Sequence, residues 1–278
     1  VNGAVAQGVT RVQSVEGITE YRLANGLQLL LLPDSAKPTT TVNMTYLVGS
    51  RHEGPGETGM AHLLEHMLFK GTTRRAGREI SATVQAHGGY INAYTTFDRT
   101  VYYIDLPSEH TAVAIDLLAD AVLNSTLPAD ETAKEKDVIL REIAMTKDDP
   151  DNRLWDALFS TAFREHPYRQ PVIGHRDVFS AVTREDLVGY YRARYVPNNL
   201  VVVIVGDIDL AATRAAVEQH LGSAPRARLA PARPAPAAAP AAAAAAATTP
   251  RKEQQQRQRQ HDRGHGLHVA RIEHLGDD

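Results

Sequence analysis

His62, Glu65 and His66 are the residues whose types and spacing could do chemistry. They stand in the stretch Gly59-Met60-Ala61-His62-Leu63-Leu64-Glu65-His66-Met67-Leu68-Phe69-Lys70-Gly71-Thr72. On a helix, His62 and His66 stack on one face within reach of a single ion, and Glu65 projects from the same side. Leu63, Leu64, Met67 and Leu68 fall on the other faces and can hold such a helix in a core. Neutral imidazole suits zinc, and a tetrahedral catalytic zinc site needs three protein ligands plus an open position for water. A carboxylate beside that position could take the water's proton as it attacks a carbonyl. The plainer alternative is polar decoration of a core helix, which would bury groups that then need partners. Either way, the third ligand has to come from elsewhere in the chain.

The elements that must position these residues are marked by hydrophobic periodicity and by breakers. From Ile18 onward the chain reads as regular structure, with a turn at Asn25-Gly26 and strands over 27–32 and 41–48. A loop from Gly49 to Gly59 delivers the chain to the motif helix, and Gly71 is expected to stop that helix. A helix over 78–87 precedes two strands, 90–96 and 100–106, and a packing helix covers 109–123. Further helices are expected over 152–165, with Leu154, Trp155, Leu158, Phe159 and Ala162 as its packing stripe, and over 183–195 and 211–221. The run 200–205 is wholly apolar and reads as a central, buried strand.

The helix expected over 130–147 offers the missing carboxylate. It contains neither proline nor glycine, and Glu135 and Glu142 lie seven residues apart, on a face shared with Val138 and Ile139. Acids on an apolar stripe can also cap or pair with Lys134 or Arg141, so the spacing alone leaves both uses open.

Composition bounds the rest. The 278 residues are 43% apolar, enough for one large domain or two small ones, although part of that count is alanine in a late low-complexity run. A formal charge of −3 gives no argument for nucleic acid or for an anionic membrane. With no cysteine, disulfides and thiolate metal ligands are excluded. No stretch is long and apolar enough to span a bilayer. Residues 1–15 read as a disordered N-terminus or, from the small-x-small pattern Ala4-Val5-Ala6, as the remnant of a secretory signal. A periplasmic or secreted location is the expectation from that pattern, with a cytoplasmic one as the alternative. Residues 224–278 are Pro/Ala- and then Arg/Gln-rich and read as a disordered tail. Its histidines, His261, His265, His268 and His274, are set aside as a metal site.

Several separated blocks together resemble the zinc metallopeptidases with an inverted motif, the pitrilysin and mitochondrial-processing-peptidase group. They are His62-x-x-Glu65-His66 with Met67-Leu68-Phe69-Lys70-Gly71-Thr72, then Asn92-Ala93-Tyr94-Thr95, Glu135, and Val138-Ile139-Leu140-Arg141-Glu142. The resemblance runs from Glu16 to Gly222 and gives 16–223 as one metallopeptidase domain. It implies an α+β fold of two layers, a mostly antiparallel sheet covered by helices on one face, forming half of a clamshell. It further implies one zinc ion held by His62, His66 and Glu142, with Glu65 as general base and Glu135 as an accessory acid behind the ligands. Asn92 and Ala93 would receive an extended peptide at a sheet edge. Phe69 would line the pocket past the scissile bond, a core position being the equal alternative. The activity implied is endopeptidic hydrolysis of extended peptides or unfolded segments, with a second homologous domain or subunit completing the chamber. Nothing after Gly222 resembles that second half, so the chain is expected to be truncated or to take it from a partner. The rival reading is a non-catalytic peptide-binding or assembly subunit. Such relatives typically lose motif residues that are present here.

Overall fold

A computed structural model describes residues 8–229, all within one compact unit, Val1–Pro236. Residues 1–7, with the Ala4-Val5-Ala6 pattern, and residues 230–278, with most of the expected tail and its histidines, lie outside the described residues. Ala224–Leu229 carry no regular structure.

The chain opens with β1 (Val9–Val15), β2 (Ile18–Leu23), β3 (Gln28–Pro33) and β4 (Thr39–Tyr46). Helices α1 (Met60–Met67) and α2 (Gly77–Ala86) follow, then the hairpin β5 (Tyr90–Thr95) and β6 (Thr100–Pro107). Next come α3 (Thr111–Asn124), α4 (Ala129–Asp148), α5 (Pro150–Ala162), α6 (Arg176–Ala181) and α7 (Arg184–Arg194). Strand β7 (Leu200–Gly206) and helix α8 (Leu210–Leu221) complete the fold.

The strands form one sheet in the order β1-β2-β3-β7-β4-β6-β5, antiparallel throughout except for the β3–β7 pair. Alternation puts Leu29, Leu31, Val42, Met44, Tyr46, Tyr102, Ile104, Val202 and Ile204 on the face the helices cover, each essentially inaccessible. Their neighbours along each strand, Val101 apart, are only partly covered. The α+β class and the one-sided helical layer are therefore as the sequence leads one to expect. Two consequences of topology matter for function. β7, the most apolar strand, sits in the middle of the sheet, and β5 is an edge strand paired only with β6.

Four local expectations are corrected. Val9–Val15 is a strand, where a disordered terminus or signal remnant was expected. Nearly all its side chains are exposed, and backbone pairing to β2 holds it, aided by a Gln13–Glu20 bond of 2.9 Å, so it carries no apolar run to recognise. β7 is central but buried on one face only, since Val201, Val203 and Val205 point to the open side. Helix α1 ends at Met67, and Gly71, at φ 139°, instead shapes a short bridge to Ala76. The apolar stripe of α5 is not packed: Leu154 is 66%, Trp155 53% and Leu158 50% exposed. Periodicity tells which residues share a helix face, not whether the chain supplies anything to cover it.

Candidate metal centre

The motif helix is only eight residues long, so its ends decide where its side chains point. Its N-cap, Gly59, sits at φ 93°, and a Cβ there would lie 2.6 Å from the Ile173 carbonyl oxygen, so glycine is required on both counts. Glycine brings no capping side chain, and Glu53 supplies one from the preceding loop. Its two oxygens accept hydrogen bonds from the Gly59 and Ala61 N–H groups at 3.0 and 2.8 Å. Arg194 of α7 holds the same loop, donating to the His52 carbonyl at 2.8 Å and to Glu57 at 3.2 Å while its guanidinium lies over the Tyr190 ring.

Burial pushes the Glu53 carboxyl up to about 8, against the pull of its two N–H donors. The folded state then keeps a proton that a solvated glutamate releases near 4.5, so stability falls as pH rises from there to about 8. Glu53→Ala is expected to remove that slope. It should also cost about 2 kcal/mol at acidic pH by stranding two buried N–H groups, as measured by denaturant unfolding from pH 5 to 8.

Helix α4 packs across α1 and brings the distant acids to the histidines. His62, His66 and Glu142 each offer one ligand atom, and these atoms lie within 4.8 Å of one another, the only such group among the described residues. The two imidazole rings stand 4.7 Å apart, edge to face. His66 Nδ1 is 2.9 Å from Glu135 Oε2, which leaves Nε2 as the nitrogen free to bind a metal. The other oxygen of Glu135 meets Lys70 Nζ at 2.6 Å. Burial works against the Glu135 charge, but the bonds to His66 and Lys70 outweigh it and hold the carboxyl below its usual range.

The two histidines are shifted in opposite directions. Burial, helped by neighbouring His66, pulls His62 down to about 3, so its ring is neutral and one ring nitrogen keeps a lone pair available. Burial also disfavours charge on His66, yet Glu135, Glu65 and Glu142 together raise it. His62 Nδ1 is buried with no hydrogen-bond partner among the described residues, as a ring that takes a bound group would be. Two imidazoles and a carboxylate converging without a thiolate fit zinc, leaving a fourth tetrahedral position open. Glu65 lies beside this group on the same helix, its carboxyl raised by burial and by Glu142.

The residues expected to touch a peptide are less closely grouped. Asn92 and Ala93 lie on the edge strand β5, where the Asn92 side chain donates to the Tyr90 hydroxyl and accepts from the Ala93 N–H, both at 2.8 Å. That outward N–H is thus covered by its own neighbour in the free protein. Phe69 is partly buried, packed on the core with its ring edge-on to Tyr102 at 5.7 Å. Sequence reasoning gave no role to three residues: Glu53, Lys70 and Thr95, whose hydroxyl donates to Glu65 Oε2 at 2.5 Å. The Glu53 cap was recoverable, because a carboxylate stands shortly before a helix whose N-cap is glycine.

Comparison with known proteins fits this geometry. Residues 29–176 match Insulinase (Peptidase family M16), and residues 181–266 match the Peptidase M16 inactive domain. The second match runs past Gly222, where the resemblance read from motif residues stopped. An uncharacterized zinc protease of Mycobacterium leprae is 37% identical over 221 residues, covering 80% of this chain and 50% of the relative. A protease from Helicobacter pylori superposes with a TM-score of 0.72 at 30% identity, over 80% of this chain and 52% of that one. The first half of the periplasmic protease PqqL from Escherichia coli gives 0.74 at 28% identity, over 82% and 50%. The chain spans about half the length of the curated relatives it matches. With residues 29–176 matching that family's model and a relative 37% identical over 80% of the chain, the chain belongs to the insulinase family, peptidase family M16.

Proposed function

We propose that this chain is the metal-bearing half of a zinc endopeptidase that hydrolyses extended peptides or unfolded protein segments. The observation that carries the reading is the convergence of His62, His66 and Glu142 with Glu65 beside them. His62, His66 and Glu142 would hold the ion, and Glu135, fixed by Lys70, orients His66. A bound zinc ion supplies Lewis-acid polarisation of the peptide carbonyl and acidifies a water molecule. Glu65 would take a proton from a water at the open position, a role favoured by the burial that raises its carboxyl. The free edge of β5 would take up the peptide by backbone pairing at Asn92 and Ala93, so sequence selectivity would be low. A second homologous domain or subunit would close over the peptide, and a periplasmic or secreted location is proposed with it.

The test is zinc content and cleavage of unfolded casein, by the purified chain alone and mixed with a homologous second half. One zinc per chain is expected, with weak cleavage alone and a large gain on mixing. Failure to bind zinc would end the reading, and full turnover by the monomer would remove the need for a second half.

A further inference from the structure

We propose that Thr95 is a positioning residue that holds the Glu65 carboxylate and ties it to the strand along which substrate is laid. The inference rests on the reading of Glu65 as general base. Thr95 is the last residue of the edge strand β5 and pairs with Thr100 of β6. Its hydroxyl donates to Glu65 Oε2, leaving Oε1 for a water molecule. Thr95 is itself well fixed. The turn that follows accepts Ser50 N–H at the Thr96 carbonyl (3.1 Å) and Arg51 N–H at the Phe97 carbonyl (2.9 Å). Asp98 in the same turn pairs with Arg51 at 2.8 Å and accepts the Tyr168 hydroxyl. The loop that feeds α1 and the end of β5 are therefore one tied unit, with Thr95 spanning from strand to helix.

A glutamate needs such a hold. Its side chain has three rotatable bonds, and it stands beside three donor atoms that leave one position open. An untethered carboxylate could swing into that position or away from the water. Anchoring the base to β5 rather than only to α1 also fixes it relative to a peptide backbone paired with that strand.

Thr95→Val removes the hydroxyl at nearly constant shape, and Thr95→Ser restores it. Both variants, with Glu65→Gln as reference, are assayed on casein with the second half present, and their zinc-loaded crystal structures are solved. In Thr95→Val we expect kcat to fall about 10- to 100-fold with KM and zinc content unchanged, as loss of a hydrogen bond to a charged group implies. The Glu65 carboxylate should move by more than about 0.5 Å, beyond the tolerance of a working site. Thr95→Ser should recover both. If Thr95→Val keeps its kcat and its Glu65 position while Glu65→Gln is inactive, the proposal is wrong and the base assignment stands. Loss of zinc in proportion to activity would also overturn it, by making the role structural. An active Glu65→Gln would remove the base assignment itself. Should cleavage be too weak to measure, the Glu65 position in the variant structures decides.

Discussion

Glu65→Gln is expected to lower peptide hydrolysis by about 10²- to 10⁴-fold, the usual share of a general base, while leaving zinc bound. The substitution keeps the shape of the side chain and its bond from the Thr95 hydroxyl, so the fold and the ligand set are undisturbed. What it removes is the ability to accept a proton. Glu65 is not among the three side chains whose donor atoms gather within 4.8 Å, so the metal should stay. Burial raises its carboxyl, and that places its basicity nearer neutral pH than a solvated glutamate would have. The measurement is casein cleavage in the presence of the second half, beside zinc content by elemental analysis. A metal that only stabilised the fold would make Glu65 dispensable, so unchanged hydrolysis would sink the assignment. Departure of zinc would instead place Glu65 among the ligands.

The sequence made some of this legible and hid the rest for physical reasons. His62, Glu65 and His66 declare themselves because one helix brings all three to a face, and local periodicity needs no knowledge of the fold. β4, β6 and β7 were equally plain, since β-branched and aromatic runs between breakers fill a sheet's covered face. Glu142 needed more. Its spacing from Glu135 suggested a shared inward face, but only packing of α4 on α1 turns that face to the histidines. Thr95 lies 30 residues from its partner Glu65, and Lys70, in the turn after α1, meets Glu135 of α4, so neither contact leaves a periodic trace. β1 escaped because an edge strand held by backbone bonds has no need of apolar side chains. The α5 stripe misled in the opposite sense. Leu154, Trp155 and Leu158 share a face that the described residues leave exposed.

Glu142→Ala is expected to weaken zinc binding by about 10³-fold or more, and Glu135→Gln by only about 10- to 100-fold. The two acids sit on one helix and both approach the histidines, so composition cannot separate them, but their contacts do. Glu135 spends one oxygen on His66 Nδ1 and the other on Lys70 Nζ, at 2.9 and 2.6 Å, and so acts on the metal only through a ring. Glu142 offers a ligand atom in the same group as the two imidazoles. Removing it leaves two nitrogens, one short of the three protein ligands a catalytic zinc site needs. Losing Glu135 leaves all three donors but frees the His66 ring to turn. Competition with a chromogenic chelator at fixed pH measures both affinities, and circular dichroism confirms that each variant is folded. Should Glu135→Gln prove the more damaging of the two, their roles are exchanged. Equal, small losses would mean that neither acid binds the ion and that the third ligand lies elsewhere.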